Sequence, residues 1–151
     1  MPLRFMVGIL ITVVLTGCQA SSPGDAFSVK PAWDHQVQGL THYSLANGYD
    51  IWVQPSPIVT MSDIEKAWIV KDNLGRPAAM IEFDAAGTAR ISRFTSGHVQ
   101  QPVAVFVNDL LVSAPRVQSE LGSRFMVMGI GDDAAVEQFI ANCQAQIDAS
   151  D

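Results

Sequence analysis

Residues 75–95 read GRPAAMIEFDAAGTARISRFT, and this stretch joins a strand signal directly to a helix signal. The apolar run AAMIEFD, residues 78–84, follows a Gly-Arg-Pro turn and predicts a β-strand. A helix is predicted over residues 84–97, with Asp84 as its cap, because an Asp side chain can accept hydrogen bonds from first-turn amides. Gly97 is expected to end the helix in the left-handed conformation. The stretch therefore predicts a strand that leads without a linker into a helix.

The side chains of this helix predict which face is buried. Ile91 and Phe94 are expected to face inward, whereas Arg90 is expected to point to water. Asp84 and Gly87 could suggest a phosphate-binding turn, but one glycine offers no cradle of amides and an acidic cap repels phosphate. Both residues are therefore predicted to be structural.

Two hairpins are predicted upstream of the helix. Residues 39–55 contain Asn47 and Gly48, which predict a two-residue turn because both residue types tolerate the positive φ required there. The segment EKAWIVKD, residues 65–72, is predicted to be a strand that pairs with the next strand along the chain.

Further strands are predicted downstream. PVAVFVNDLLVSAP, residues 102–115, is predicted to form a hairpin that turns at Asn108 and Asp109. RFMVMGI, residues 124–130, predicts a last strand. The sequence thus places several antiparallel pairs on both sides of the first helix.

Residues 132–148 give the clearest helix prediction. Apolar side chains recur there at the spacing of one buried stripe. The members of the stripe are Val136, Phe139, Ile140, Cys143 and Ile147. Cys143 is accordingly expected to be a buried, unreactive thiol. Two amphipathic helices beside several hairpins predict an α+β fold, with a mainly antiparallel sheet and both helices packed on one of its faces.

The N-terminal region predicts export from the cytoplasm. Residues 1–17 combine one basic residue with an apolar core shorter than the about 20 residues that span a bilayer, which is typical of a signal peptide. Residues 18–35 are rich in Ser, Pro, Gly and Ala and predict a flexible tether. Residues 36–148 then have the length of a single domain.

The end of the signal peptide carries a second motif. Leu15-Thr16-Gly17-Cys18 resembles the lipobox of bacterial lipoproteins. That resemblance implies that Cys18 becomes the first residue of the mature chain and carries acyl chains that hold the protein on a membrane. Gln19 stands where an Asp would indicate inner-membrane retention. The expected location is therefore the outer membrane, facing the periplasm.

Composition and motifs argue against several classes of function. The net charge of -6 and the lack of a basic run argue against nucleic-acid binding. The histidines show no metal-ligand spacing, and a surface position is expected for each: His35, His42 and His98. Ser113 is not part of a nucleophile elbow. We expect no metal, no cofactor and no enzymatic activity.

The tryptophans and one glycine pair are two further candidate features. Trp33, Trp52 and Trp68 are expected in the core or half-buried in strands, with an exposed aromatic patch as the alternative. Gly129 and Gly131 precede a helix but lack the third glycine of a dinucleotide-binding turn. Neither feature predicts a ligand site.

The middle of the chain resembles the head subdomain of the first periplasmic domain of the export subunit SecD, over about residues 60–142. The strand that ends in Asp84, the helix entry through Gly87, and the strand exit through Ser113 and Pro115 carry this resemblance. The chain departs from the family by Asn-Asp in place of Asp-Gly in one hairpin turn and by a shortened segment before the last strand. SecD's membrane-embedded charged residues have no counterpart in this sequence. The resemblance therefore implies a periplasmic module that contacts emerging polypeptide, not proton-driven export.

The leading hypothesis is a non-enzymatic, lipid-anchored envelope protein whose module binds protein, either unfolded polypeptide or an envelope partner. Strand addition at an exposed sheet edge is the expected mechanism. Two alternatives stay open. One is a structural subunit that docks on one fixed envelope complex, and the other is a periplasmic small-ligand binder or enzyme.

Overall fold

The computed structural model describes residues 26–151; the predicted signal peptide and Cys18 lie outside this range. The strands are β1 (Phe27–Trp33), β2 (Thr41–Ser44), β3 (Asp50–Val53), β4 (Val59–Thr60), β5 (Ile64–Lys71), β6 (Pro77–Phe83), β7 (Val103–Val107), β8 (Leu110–Ser113) and β9 (Arg124–Val127). The helices are α1 (Ala85–Ser96) and α2 (Asp133–Ser150), and a 3₁₀ turn covers Met61–Asp63. The predicted α+β fold class is confirmed.

The strands form two antiparallel sheets. The six-stranded sheet has the order β2-β3-β1-β7-β8, with β4 pairing beside β3 on the same edge of β1. The three-stranded sheet has the order β5-β6-β9. Helix α2 packs against β5 and β6, and α1 packs against β4 and β6. The core therefore lies between the sheets and under both helices.

The first strand corrects the tether predicted for residues 18–35. β1 is the centre of the six-stranded sheet, and Phe27 and Val29 in it are fully buried. Pro31 and Lys30 obscured the strand pattern in the sequence. Pro31 nevertheless accepts a hydrogen bond from the backbone of the loop after β3, and the Lys30 ammonium lies over an aromatic ring of β7. In β1, Phe27 and Val29 alternate with Ser28 and Lys30, and the strand is covered on both faces.

Two clusters of buried side chains hold the fold together. The main cluster joins both sheets and both helices, and its largest fully buried members include Phe27, Phe83, Phe139, Ile81 and Ile91. The smaller cluster lies on the other face of the six-stranded sheet and consists of Ala32, Ile51, Val53, Ala104 and Phe106. Burying one such large side chain contributes about 1.5–3 kcal/mol relative to leaving it exposed.

The hairpin turns were predicted with different success. Asn108 and Asp109 both have positive φ, 49° and 62°, as a two-residue turn requires. The hairpin at Gly48 is confirmed, but its turn is longer than predicted. Leu45 donates to the Tyr49 carbonyl at 2.9 Å, which leaves a three-residue loop in which Gly48, at φ 78°, alone has positive φ. Such loops combine an ordinary turn with one left-handed residue, so a single glycine suffices.

The ends of α1 were also predicted with different success. Asp84 accepts a hydrogen bond from the Gly87 amide at 2.6 Å, which confirms the predicted cap. Gly97, with φ -93°, is not left-handed, so that prediction is wrong. Its amide and that of His98 instead bond three residues back, at 3.3 and 3.2 Å. This tightened last turn satisfies the free carbonyls, so no left-handed residue is needed at the helix end.

Candidate functional site

The candidate site is the face of the three-stranded sheet that points away from the core, together with the free edge of β5. Alternate residues of β6 and β9 are buried in the main cluster, and the residues between them form the opposite face. We call this face the outer face; its members are Lys66, Trp68, Val70, Ala78, Met80, Glu82, Arg124 and Met126, with Met128 directly after β9. Of these, Ala78 is fully buried, so the open part of the face lies towards Trp68 and Lys66.

Apolar side chains form the middle of the outer face. Trp68 on β5 lies opposite Met80 on β6, and Met80 lies opposite Met126 on β9. Trp68 is 36% exposed and Met128 is 37% exposed. Methionine side chains are flexible and polarizable, and they adapt to partners of different shape. One row of the sheet thus presents partly exposed apolar side chains, two of which are flexible methionines.

The edge of β5 presents unpaired backbone groups. Asp72 donates its amide to the Arg76 carbonyl at 2.9 Å. Because bonded and non-bonded pairs alternate in an antiparallel ladder, the backbone groups of Ala67, Ile69 and Lys71 point away from β6. Within residues 26–151, no hydrogen bond from a turn, a loop or another strand involves the backbone of these three residues. An extended segment could therefore pair along this edge.

The edge is also unusually apolar. Trp68, Ile69 and Val70 follow one another, and Ile69 is 45% exposed. Trp68 and Val70 belong to the outer face, and Ile69 points to the opposite side. Lys66 and Lys71 flank the run, as charges often do at sheet edges that must not aggregate.

A charged row borders the apolar part of the outer face. Glu82 accepts a hydrogen bond from Arg124 at 3.0 Å and lies 3.6 Å from the Lys66 ammonium. The Arg124 guanidinium is also 5.8 Å from the centroid of the Trp68 ring. The hydrogen bond from Arg124 is the main cause that holds the pKa of Glu82 below its ordinary value, and the charge of Lys66 acts in the same direction.

A cleft of about 360 Å³ lies at the opposite end of the outer face. Arg76, Ser113 and Met128 are among its lining residues. At this cleft the backbone of Gly129, whose φ is 80°, lies close to the backbone of Val112. A Cβ added to Gly129 would lie 2.4 Å from the Val112 carbonyl oxygen. The cleft thus marks the place where β8 of the larger sheet meets the end of β9.

The residues predicted to be structural lie away from the outer face, except Ser113. A Cβ on Gly87 would lie 2.8 Å from the Cβ of Asp63, so α1 can approach the 3₁₀ turn only because this residue is glycine. The Pro115 carbonyl accepts the amide of Val103 at 3.0 Å. Ser113 ends β8 and lines the cleft.

Arg90 is exposed, as predicted, but it also forms an ion pair that the sequence did not indicate. Its guanidinium bonds to the carboxylate of Asp63 and, through Nε, to the Ile58 carbonyl at 3.1 Å. Asp63 also accepts the amide of Thr60 at 2.8 Å. The pair fixes α1 to the segment before β5, and nothing local in the sequence of the helix indicates a partner so distant in the chain.

The histidines lie apart from one another. His42 bonds to Asp50 at 3.1 Å on the β2–β3 hairpin, and His98 stacks on Phe94 with ring centroids 4.1 Å apart. His35 contacts its neighbour Asp34. Across residues 26–151 there is no group of three or more His, Cys, Asp or Glu residues that could hold a metal ion. Burial raises the pKa of the Cys143 thiol to about 12, so Cys143 is a poor nucleophile.

The tryptophans differ from one another in exposure. Trp33 and Trp52 are half-buried, as expected, but Trp68 is exposed, which corrects the expectation for this residue. Sequence reasoning also missed the methionines of the outer face. The available signal was their parity: Met80 and Met126 alternate with the most apolar core positions of their strands, where a polar residue is usual.

Comparison with families and curated proteins gives a consistent result. The model of the family described as SecDF, P1 head subdomain, matches residues 38–145. The protein translocase subunit SecD of Aquifex aeolicus is 29% identical over 77 residues, which are 51% of this chain and 15% of that protein. SecD of Rhodobacter capsulatus is 28% identical over 88 residues, which are 58% of this chain and 14% of that protein. The chain thus spans about one seventh of the length of these relatives.

Comparison with solved structures shows the same fold. A chain from work on a membrane component SecDF that enhances protein export has a TM-score of 0.63 at 14% identity, over 82% of this chain and 64% of that one. The crystal structure of SecDF in a super-membrane-facing form has a TM-score of 0.58 at 17% identity, over 82% of this chain and 19% of that one. Neither helix within residues 26–151 is long and apolar enough to cross a membrane.

Proposed function

Because this chain belongs to the SecDF P1 head subdomain family, we propose that it is an export-linked module of the cell envelope that binds extended polypeptide and catalyses no reaction. The observation that carries the proposal is the open edge of β5, whose apolar run keeps Trp68 and Ile69 exposed and Val70 half-buried. Sheet edges are normally shortened, charged or covered, because an open apolar edge pairs with other chains. An edge that keeps such a run is a candidate for pairing in the course of function.

The proposed mechanism is strand addition. The client segment would bond to the outward-pointing backbone groups of Ala67, Ile69 and Lys71, and backbone bonds do not depend on the client's sequence. Trp68 and Met80 would bury the apolar side chains of the client on the outer face. Backbone pairing and an adaptable surface together suit clients of varied sequence.

We also propose that acyl chains on Cys18 hold the module on the outer membrane, on its periplasmic side. The Leu15-Thr16-Gly17-Cys18 motif supports this part of the proposal. Because β1 begins at Phe27, a fully extended chain from Cys18 spans only about 30 Å. The module would therefore work close to the bilayer surface, nearer than a tether reaching residue 35 would allow.

Membrane attachment is tested with the two cysteines of the chain. Cys18→Ser should move the protein from the membrane fraction to the soluble fraction and remove the acyl mass from its N-terminus. Cys143→Ala is the matched control, and it should stay membrane-bound because Cys143 is buried in the core. Mass spectrometry that shows an unmodified, uncleaved N-terminus in the native protein would contradict the anchor.

Client binding is tested by titrating the protein with a permanently unfolded, carboxymethylated polypeptide. Ile69→Pro removes one outward-pointing amide without touching a bond to β6, and proline is tolerated at such edge positions. It should weaken binding at least about tenfold, whereas the control Ile69→Ala, which keeps the amide, should cost only about threefold. Urea unfolding of both variants checks that the fold is retained.

Each outcome of this titration has a defined meaning. Equal binding by Ile69→Pro and the wild type would exclude strand addition at β5. No binding by the wild type, combined with crosslinking in cells to one stoichiometric partner, would favour the alternative of a subunit docked on one envelope complex.

A further inference from the structure

We infer that the open edge of β5 also pairs with the β5 edge of a second copy of this chain, in a register that places Trp68 opposite Trp68 of the other copy. The pairing would close the edge until a client displaces the copy. The dimer itself does not depend on the proposed function, and only the competition with a client rests on the proposed strand addition.

The backbone of the edge permits few registers. The groups of Ala67, Ile69 and Lys71 point away from β6, and an antiparallel partner must meet them with outward-pointing groups of its own. Because every second residue points outward, residues that lie opposite each other must both be odd-numbered or both be even-numbered. Such a pairing of identical strands is twofold symmetric, so each copy uses the same patch and the assembly closes as a dimer.

The side chains favour the register that is centred on Trp68. In this register Ala67 lies opposite Ile69 of the other copy, so apolar residues meet on the side away from the outer face. Glu65, at the bulge where the regular part of β5 begins, lies opposite Lys71 of the other copy at both ends of the paired segment. Cross-strand pairs of aromatic side chains and pairs of opposite charges both stabilise a sheet.

The neighbouring registers lose these contacts. A pairing centred on Ile69 places Lys66 opposite Asp72, whose side chain is only 6% exposed and already bonds to Arg76. A pairing centred one residue before Trp68 places Glu65 opposite an apolar residue. Of these registers, only the inferred one has opposite charges at both ends.

The charge near the edge does not oppose the pairing. The charged groups on β5, together with their ion-pair networks, are Glu65, Lys66, Lys71, Glu82, Arg124 and Asp133. Three cations and three carboxylates make the edge locally neutral, although the whole chain has a net charge of -6. The ammonium of Lys71 has three N–H donors, so its contact with Asp133 at 3.1 Å leaves donors for Glu65 of the other copy. Two copies can therefore approach through this edge without the repulsion that the rest of the surface carries.

Disulfide crosslinking tests the register in the full chain with Cys18→Ser, which leaves only the buried Cys143 as a native thiol. Trp68→Cys should crosslink to its own copy under oxidation, because opposed residues of a non-bonded pair have Cα atoms about 4.5 Å apart. Ile69→Cys is the matched control, since it is exposed on the same strand. In this register it lies on a diagonal about 7–8 Å from its own copy, which a disulfide does not span.

Sedimentation of Cys18→Ser over a range of concentrations measures the affinity of the dimer without any client. Glu65→Lys replaces two symmetric attractions by repulsions and should weaken the dimer about threefold to thirtyfold, and adding Lys71→Glu should recover at least about threefold. Lys66→Gln is the matched control, because it removes a neighbouring charge that lies opposite Val70. It should change the affinity less than about twofold.

A client should dissociate the dimer, because both occupy the same edge. A protein that stays monomeric up to about 1 mM, a Glu65→Lys variant as tight as the wild type, or crosslinking of Ile69→Cys in place of Trp68→Cys would each overturn the inference and leave client binding in place. A client that binds without dissociating the dimer would show that the copy does not cover the client's edge. Failure of the client to bind, with the dimer intact, would overturn the proposed function alone.

Discussion

Both sheets bury one face in the main core, but their opposite faces differ. The six-stranded sheet curls so that the Tyr43 ring meets the Phe106 ring edge-on, with centroids 5.2 Å apart, and Ile51 is fully buried. On the three-stranded sheet, nothing within residues 26–151 covers Trp68 in this way. The β2–β3 hairpin covers the outward face of the larger sheet, whereas β5 is the edge strand of the smaller sheet and no further strand of the described chain follows it there. An apolar sheet face is therefore either covered by another part of its own chain or left exposed to a partner chain.

The largest effect is expected from a substitution on the covered face. Phe106 is 4% exposed and packs with Tyr43 and the small cluster. Phe106→Ala should lower the free energy of unfolding by about 3–5 kcal/mol, because it removes a buried ring and leaves a cavity. Urea unfolding followed by circular dichroism measures this loss.

Met126→Ala on the outer face is the counterpart. It should change the free energy of unfolding by less than about 1 kcal/mol, since its side chain is only partly buried, yet it should weaken client binding. If Met126→Ala destabilises the protein as much as Phe106→Ala does, the outer face is part of the core and the comparison between the sheets is wrong.

A second, smaller effect concerns the contact between the sheets at Gly129. Gly129→Ala would place a Cβ 2.4 Å from the Val112 carbonyl, in addition to the strain of its positive φ. Gly75→Ala is the matched control, because Gly75 has φ 76° but open space around it. The control should cost about 1–2 kcal/mol, the penalty of a left-handed residue. Gly129→Ala should cost clearly more in the same unfolding experiment, and equal costs would show that the two sheets do not meet there.

The same comparison explains which parts of the fold could be predicted from the sequence. Local signals were sufficient for α1, α2 and the hairpins, because a cap such as Asp84, a helical stripe or a turn pair acts within a few residues. β1 was missed because the Ser, Pro and Gly before it and Pro31 within it resemble a tether, and because the strands that pair with it lie far along the chain. The prediction for Gly97 was wrong and the ion pair of Arg90 was missed for a related reason, since the turn after α1 and the distant Asp63 decide these roles.

The outer face shows the same limit at the level of the site. Trp68 was read as a strand residue and Met126 as part of a last strand, and both assignments are correct. Their meeting across β6 depends on register between segments about 60 residues apart, and a shift of one residue would turn either side chain to the core. Pairing between distant strands, and hence the surface it builds, is not encoded in any one stretch.

The smallest expected effect is a pH dependence of stability that differs between one carboxylate on each sheet. Each region has a carboxylate whose pKa is lowered in the folded protein, Glu82 first by the hydrogen bond from Arg124 and Asp50 first by that from Ser44. A lowered folded pKa means that the unfolded chain takes up the proton first. Both contributions to stability are therefore complete above about pH 4 and are lost as the pH falls through the folded pKa.

Salt should affect the two carboxylates to different extents, because both partners of Glu82 are charged groups, whereas Asp50 accepts first from the neutral Ser44 hydroxyl and second from His42. At 1 M salt the screening length is about 3 Å, which weakens exposed ion pairs more than hydrogen bonds between a hydroxyl and a carboxylate. Unfolding at pH 6 and pH 3, at low and high salt, should show that Glu82→Gln removes pH dependence mainly at low salt. Asp50→Asn should remove an amount that changes less with salt, because only one of its two partners, His42, can carry a charge. If high salt left the Glu82 contribution intact, the ion pairs with Arg124 and Lys66 would not be its source.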